Sequence, residues 1–269
     1  MSEMKASVYN HTDALAGAIT SLCAEGNLKA FTDAVKYMQK TLDLPNETAE
    51  QWIAKAEQEA PKIRQSLGAG LKEAAQKNGC GFEFRPPYIS FGAVTFHERN
   101  PGTWELSIMD GVVIEALSTQ NADSLATAAL AKIKRIKDVL DKDEMHVKNL
   151  VAAYDWLQLS STENRYVSPN LLMLLCTYGK GLRKQLTSAM TANSVQPLSR
   201  AEFSYLLARI HRRAVEGIKG FPKLAFRGAI HVVTKDPSRF ISIPGTDDPC
   251  QIEQRHTPVV EIALDTTGE

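Results

Sequence analysis

The chain lacks a surplus of either charge: its 269 residues carry 31 Lys and Arg against 31 Asp and Glu. That excludes the overall basic excess of a simple nucleic-acid binder, so any such role has to rest on segregation of charge along the chain. Cysteine is sparse. Cys23, Cys80, Cys176 and Cys250 lie far apart with no C-x-x-C pair, which argues against a zinc site or a disulfide framework and for structural thiols in a reducing, cytoplasmic compartment. No apolar run approaches the roughly 18 residues of a membrane span, and the N-terminus has no basic-then-apolar leader. The histidines, His11, His97, His146, His211, His231 and His256, form no H-E-x-x-H and no pair at helical ligand spacing. The E-x-K at Glu3-Met4-Lys5 sits outside any strand, and the Gly-x-Gly runs at 68–70 and 179–181 follow no convincing strand. With these signatures missing, the chain reads as a non-enzyme with no cofactor and no metal.

What is there centres on residues 82–117. Residues 88–96 are rich in β-branched and aromatic side chains, and Glu105 to Ile108 alternates with period two, so two short strands are expected to pair across the Asn100-Pro101-Gly102 turn. Helical patterns flank this hairpin. Phe31, Val35, Met38 and Leu42 fall on one stripe of a helix over 28–42, and Trp52, Ile53 and Ala56 form the inner face of the next, which Pro61 is expected to break. Beyond the hairpin, Asn121 caps a helix to about Leu140 that carries Leu125, Ala129, Ile133, Ile136 and Leu140. Ser199 and Glu202 form a capping box for a helix from Arg200 to about Glu216. The fold expected is mainly α with a small central β-hairpin, two helical lobes and a C-terminal arm. Its parts are a lobe over 1–80 with a possible N-terminal arm, a hairpin seam over 81–120, a basic helical lobe over 121–240 and an acidic arm over 241–269.

Basic residues cluster after the hairpin. Lys132, Lys134 and Arg135 lie on one helix, Lys180, Arg183 and Lys184 follow, and Arg209, Arg212 and Arg213 recur at three- and four-residue spacing on the capped helix. Helix-borne cations at that spacing can track a phosphate backbone without reading bases, which makes these nine the candidate RNA contacts. A solvated helix face is the alternative for any one cluster; as RNA contacts, Arg209, Arg212 and Arg213 are expected to be replaceable by Ala with little change in stability. Tyr178, Tyr205, Phe221 and Phe226 are interleaved with them and suit either base stacking or the core. Asp247-Asp248, inside Pro-Gly-Thr-Asp-Asp-Pro, reads as a turn. The apolar strand at 259–264 stands in an acidic tail, where it would either exchange with a neighbouring copy to build a ring or filament or fold back on its own chain.

Ile89-Ser-Phe-Gly-Ala-Val-Thr-Phe96, followed by a polar turn and Glu105-Leu-Ser-Ile108, resembles the central hairpin of bunyavirus-type nucleoproteins, those of segmented negative-strand RNA viruses. Asn149-Leu-Val-Ala-Ala-Tyr-Asp155 is similar to the helix that opens the C-terminal lobe of the tospovirus-like members. Together the two stretches cover about a quarter of the chain. The resemblance implies a protein that encapsidates single-stranded RNA in a basic cleft between two helical lobes, forms homo-oligomers through exchanged arms, and resides in the host cytoplasm and the virion. Asp110 and Gly111 stand where members of that family often carry basic residues, so no RNA contact is assigned there. The rival reading is a helical adaptor subunit of a cytoplasmic multi-protein machine, with a hydrolase bearing an unrecognised site as a third option.

Overall fold

The computed structural model describes residues 28–41, 45–100, 103–108, 112–119, 121–159, 165–178, 198–228, 239–252 and 256–265. Within them run helices α1 (Leu28–Thr41), α2 (Asn46–Lys77), α3 (Ala122–Leu140), α4 (Asp143–Leu159), α5 (Pro169–Tyr178) and α6 (Arg200–Val215). The strands are β1 (Phe82–Arg85), β2 (Tyr88–Phe91), β3 (Val94–Asn100), β4 (Thr103–Ile108), β5 (Val113–Ser118), β6 (Lys223–Gly228), β7 (Ile241–Pro244) and β8 (His256–Asp265). No helix among the described residues is long and apolar enough to cross a membrane. The chain divides into two compact units. One comprises residues 1–91, 95–107 and 113–130, and the other comprises 92–94, 108–112 and 131–269.

The expectation of a small central hairpin in a mainly α fold is overturned. The β segment is a five-stranded sheet ordered β1-β2-β3-β4-β5, and a second sheet of three strands is ordered β6-β8-β7. Two features hid the larger sheet. The run over 88–96 is two strands, because a turn at Gly92 and Ala93 splits it; Gly92 takes φ +54, a left-handed value that only glycine adopts cheaply. The flanking strands β1 and β5 are short and half-exposed, so neither alternates cleanly. Where the sheet is central, the pleat sorts residues as the period of two requires: Trp104, Leu106 and Ile108 are buried and Thr103, Glu105 and Ser107 are not.

In the first unit, α1 and α2 bury Phe31, Val35, Met38, Ala49 and Ala56, with Trp52 and Ile53 packed against them. The expected break at Pro61 does not occur, and α2 runs unbroken from Asn46 to Lys77. Gly70 permits a close approach of α2 to the start of α3: a Cβ there would lie 2.8 Å from that of Ala122. Asn121 caps α3 as its sequence predicts, its Oδ1 accepting the Asp123 N–H at 2.8 Å.

The second unit packs α4, α5 and α6 around the smaller sheet, with Leu150, Leu172, Phe203, Leu206, Ile241 and Ile262 deep in its core. The expected C-terminal arm is part of this core. Strand β8 is the middle strand, pairing with β6 from Lys223↔Asp265 to Gly228↔Val259 and with β7 from Ile241↔Val259 to Pro244↔His256. Val167 adds a bridge to Ile262. The backbone groups that an exchanged arm would offer to a neighbour are paired within the chain. The strand therefore takes the folded-back alternative, and the unpaired edge on which ring or filament formation rested is absent here.

Leu106 is fully buried in the centre of the five-stranded sheet. Leu106→Ala is expected to cost about 2–5 kcal/mol, because the cavity adds to the lost transfer free energy. Urea unfolding of wild type and variant measures this, and a midpoint unchanged within error would show the sheet to be peripheral to stability.

Candidate functional site

Helix α6 carries the densest group of sequence-predicted residues, and their placement is set by its N-terminus. Ser199 Oγ accepts the Glu202 N–H at 3.2 Å, and Glu202 Oε2 accepts the Ser199 N–H at 2.8 Å, which completes the capping box. The other carboxylate oxygen, Glu202 Oε1, lies 2.8 Å from Arg135 Nε of α3. Farther along α6, Arg209 and Arg212 converge on Asp247, which follows β7, with Nε–Oδ2 and Nη1–Oδ1 distances of 2.5 Å each. The Arg209 contact is an ion pair without hydrogen-bond alignment, since neither atom counts a hydrogen-bond partner. Arg213 Nη1 lies 3.1 Å from Asp143 Oδ2 at the start of α4, and its guanidinium sits 5.0 Å from the Phe221 ring.

The three carboxylates are what distinguish this cluster from a solvated face. The side chains of Asp247, Glu202 and Asp143 are 2%, 6% and 7% exposed. A carboxylate taken out of water loses several kcal/mol of hydration, and a cation in contact offsets that loss. Arg135, Arg209, Arg212 and Arg213 thus each have a structural task in this unit. Of the other predicted residues, Lys134 is exposed on α3, Lys132 is half-buried beside it, and Lys180, Arg183 and Lys184 lie outside the described residues. Tyr205 is fully buried, which removes it from any stacking surface; Phe221 and Phe226 pack against the core.

His146, on α4, is half-buried with a buried Nδ1 that finds no hydrogen-bond partner. Burial holds its pKa below the ordinary value of 6.5, and Lys142 adds to the depression while Asp143 and Glu202 oppose it. Cys176, whose Sγ–H donates to the His146 carbonyl at 3.8 Å, is pushed up by burial to about 12 and stays a thiol. Among the described residues Cys80, Cys176 and Cys250 are buried and form no disulfide.

A second surface was not anticipated. On the face of the five-stranded sheet opposite Ile89, Phe96, Trp104 and Leu106, a row of side chains crosses the strands. Arg85 is registered with Tyr88. Tyr88 stacks on His97 with centroids 4.5 Å apart and planes 14° from parallel. Glu105 approaches His97 Nδ1 to 3.9 Å and accepts from Arg99 Nε at 2.6 Å. That hydrogen bond raises the Arg99 pKa above its ordinary value. Tyr88 is 48% exposed, and the Arg85 and Arg99 side chains are 76% and 57% exposed. The signal available in sequence was the alternation Tyr88, Ser90 and Thr95, His97, Arg99, which becomes one face only once the turn at Gly92 is placed.

No protein-family model, no curated protein and no solved structure matches the chain.

Two outcomes follow from this geometry. Arg213→Ala, which removes the cation from a carboxylate 7% exposed, is expected to cost about 3–5 kcal/mol in urea unfolding. Lys134→Ala, at an exposed position, should stay within about 0.5 kcal/mol of wild type. The second outcome concerns pH. A folded pKa below the unfolded one means that the unfolded chain binds the proton better, so this contribution is complete above the unfolded value and declines as pH falls through 6.5 toward the folded value. Wild type should therefore lose more stability than His146→Gln between pH 7.5 and pH 5, and parallel urea midpoints for the two proteins over that interval would refute the effect.

Proposed function

We propose that the chain is a non-enzymatic binder of single-stranded RNA, and that its contact surface is the exposed face of the five-stranded sheet. The observation that carries this reading is the Tyr88–His97 stack flanked by Arg85 and Arg99. Single strands are held by aromatic rings on which bases stack and by cations that follow the backbone, and a sheet face displays both in one plane. The row from β1 to β4 spans about 14 Å at ordinary strand spacing, room for two or three nucleotides.

The arginines of this face are paired, Arg85 with Glu83 at 2.5 Å and Arg99 with Glu105 at 2.6 Å. Exposed ion pairs are worth only about 0–1 kcal/mol, so an incoming phosphate can exchange for the carboxylate at small cost. The arginines of α6 differ. Drawing Arg213 away would strand the buried Asp143, at a cost of several kcal/mol that a phosphate contact has to exceed, and drawing Arg209 or Arg212 away would strip buried Asp247 of one of its two cations. The sheet face therefore offers cations that binding can recruit.

Fluorescence anisotropy of a labelled oligouridine at two salt concentrations tests the proposal. Tyr88→Ala should weaken binding by about 5- to 150-fold, the loss of one stacked base. Arg85→Gln with Arg99→Gln should flatten the dependence on salt by releasing fewer counterions. Full-length protein that leaves the oligonucleotide free at low salt, or that binds it equally well without Tyr88, would favour the adaptor reading instead.

A further inference from the structure

A groove of about 480 Å³ lies in the second unit between the C-terminal half of α6 and the smaller sheet. Its size falls within the range of small-molecule sites, roughly 300–1,000 Å³. Apolar walls come from Val215 on α6, Phe226 on β6, and Ile243 and Pro244 on β7. His211 packs its ring 5.2 Å from that of Phe226. Val215 is 75% exposed, so part of this apolar wall already meets water.

The charges around the groove sum to zero but are held with unequal strength. Asp247 faces two guanidiniums, Arg209 and Arg212, and the trio therefore carries one surplus positive charge. Asp247 is turned inward and 2% exposed, whereas Arg212 is half-exposed, so an entering molecule meets the cation. The surplus is answered by Glu216, one turn along α6, at 3.6 Å from Arg212 Nε. That distance is beyond a good hydrogen bond, and Glu216 is itself 51% exposed. A surface pair of this kind contributes little. The buried Asp247 pair and the exposed Glu216 pair thus divide Arg212 into a fixed side and an exchangeable side.

We infer that this groove binds a small apolar monocarboxylic acid. Its carboxylate replaces Glu216 on the exchangeable side of Arg212, with His211 beside it, and its hydrocarbon body lies against Phe226, Ile243 and Pro244. Charge complementarity selects the anion, and the apolar walls select the body. A charge-assisted hydrogen bond in a partly dry groove is stronger than the loose pair it replaces. The site is separate from the sheet face assigned to RNA, and either assignment can fail without the other.

Isothermal titration of the full chain with 3-phenylpropionate tests this, alongside the neutral 3-phenylpropanamide and a Gly-Gly-Phe peptide with a free C-terminus. The acid should bind saturably, the amide about tenfold more weakly or less, since it forfeits the charged contact. Glu216→Gln, a change at an exposed position that leaves Asp247 paired, should tighten the acid severalfold by removing its competitor. Phe226→Leu should weaken the acid with the fold intact by circular dichroism. Equal binding of acid and amide, no saturable binding of the acid, or a Glu216→Gln affinity unchanged from wild type would each overturn the proposal. Binding of the peptide without the free acid would overturn the small-molecule assignment and give the groove to a chain terminus.

Discussion

The second unit depends on α6 being able to place carboxylates and arginines at positions where water is excluded. Glu202, Ser204 and Tyr205 are buried along with Phe203, Leu206, Leu207 and Ile210, so most of the helix circumference faces protein. The N-terminal half of the helix, buried from Ala201 to Ala208, has no solvent face on which to discharge its polar residues. The charges of α6 find partners on neighbouring elements in three directions: Glu202 toward α3, Arg213 toward the start of α4, and Arg209 with Arg212 toward the turn after β7. Arg200 adds contacts from the first turn, donating to Asn170 Oδ1 at 3.3 Å and to the Phe240 carbonyl. Hydrophobic burial supplies the larger share of the free energy, but it is nondirectional. The ion pairs are directional, and they join α6 to α3, to the start of α4 and to the turn after β7.

That dependence explains what could be read in the sequence and what could not. The capping box at Ser199 and Glu202, the Asn121 cap and the stripe Leu125, Ala129, Ile133, Ile136, Leu140 are local patterns, and all three are present. Local spacing says nothing about distant partners. Arginines at i, i+3 and i+4 look identical whether they await a phosphate or hold Asp143 and Asp247, because those carboxylates lie dozens of residues away. Asp247 was legible only as part of a turn. The turn does form, with Asp248 Oδ1 accepting the Cys250 N–H at 2.9 Å, yet its neighbour Asp247 has the larger structural role. The same limit applies to β8, whose apolar pattern announced a strand while its two partners, from separate stretches of chain, could not be inferred from the strand alone.

Sheet size was under-read for a different reason. A single glycine inside an apolar run converts one apparent strand into two, and short edge strands such as β1 and β5 carry too few residues for alternation to stand out. The consequence reaches the proposed contact surface, since the row Arg85, Tyr88, His97, Glu105 exists only when neighbouring strands are set side by side. In the linear sequence these four residues are an unremarkable scatter. Cross-strand rows are the sheet's counterpart of the helical i, i+4 pattern, but their spacing depends on every intervening turn.

The chain as a whole is neutral, and on net charge alone neither a nucleic-acid surface nor an anion site would be sought. Burial resolves this. An ion pair counts as spent when separating it exposes a buried carboxylate to an apolar surrounding, and as available when both members already touch water. By that measure Arg209 and Arg213 are committed to the fold, Arg85 and Arg99 are available, and Arg212 is divided, with Asp247 on one side and Glu216 on the other. Counting cations weighs all five equally; the free energy of removing each one's carboxylate partner separates them by several kcal/mol. A protein with equal numbers of acids and bases can thus still present cations to a ligand, provided that its acids are distributed unequally between the interior and the surface.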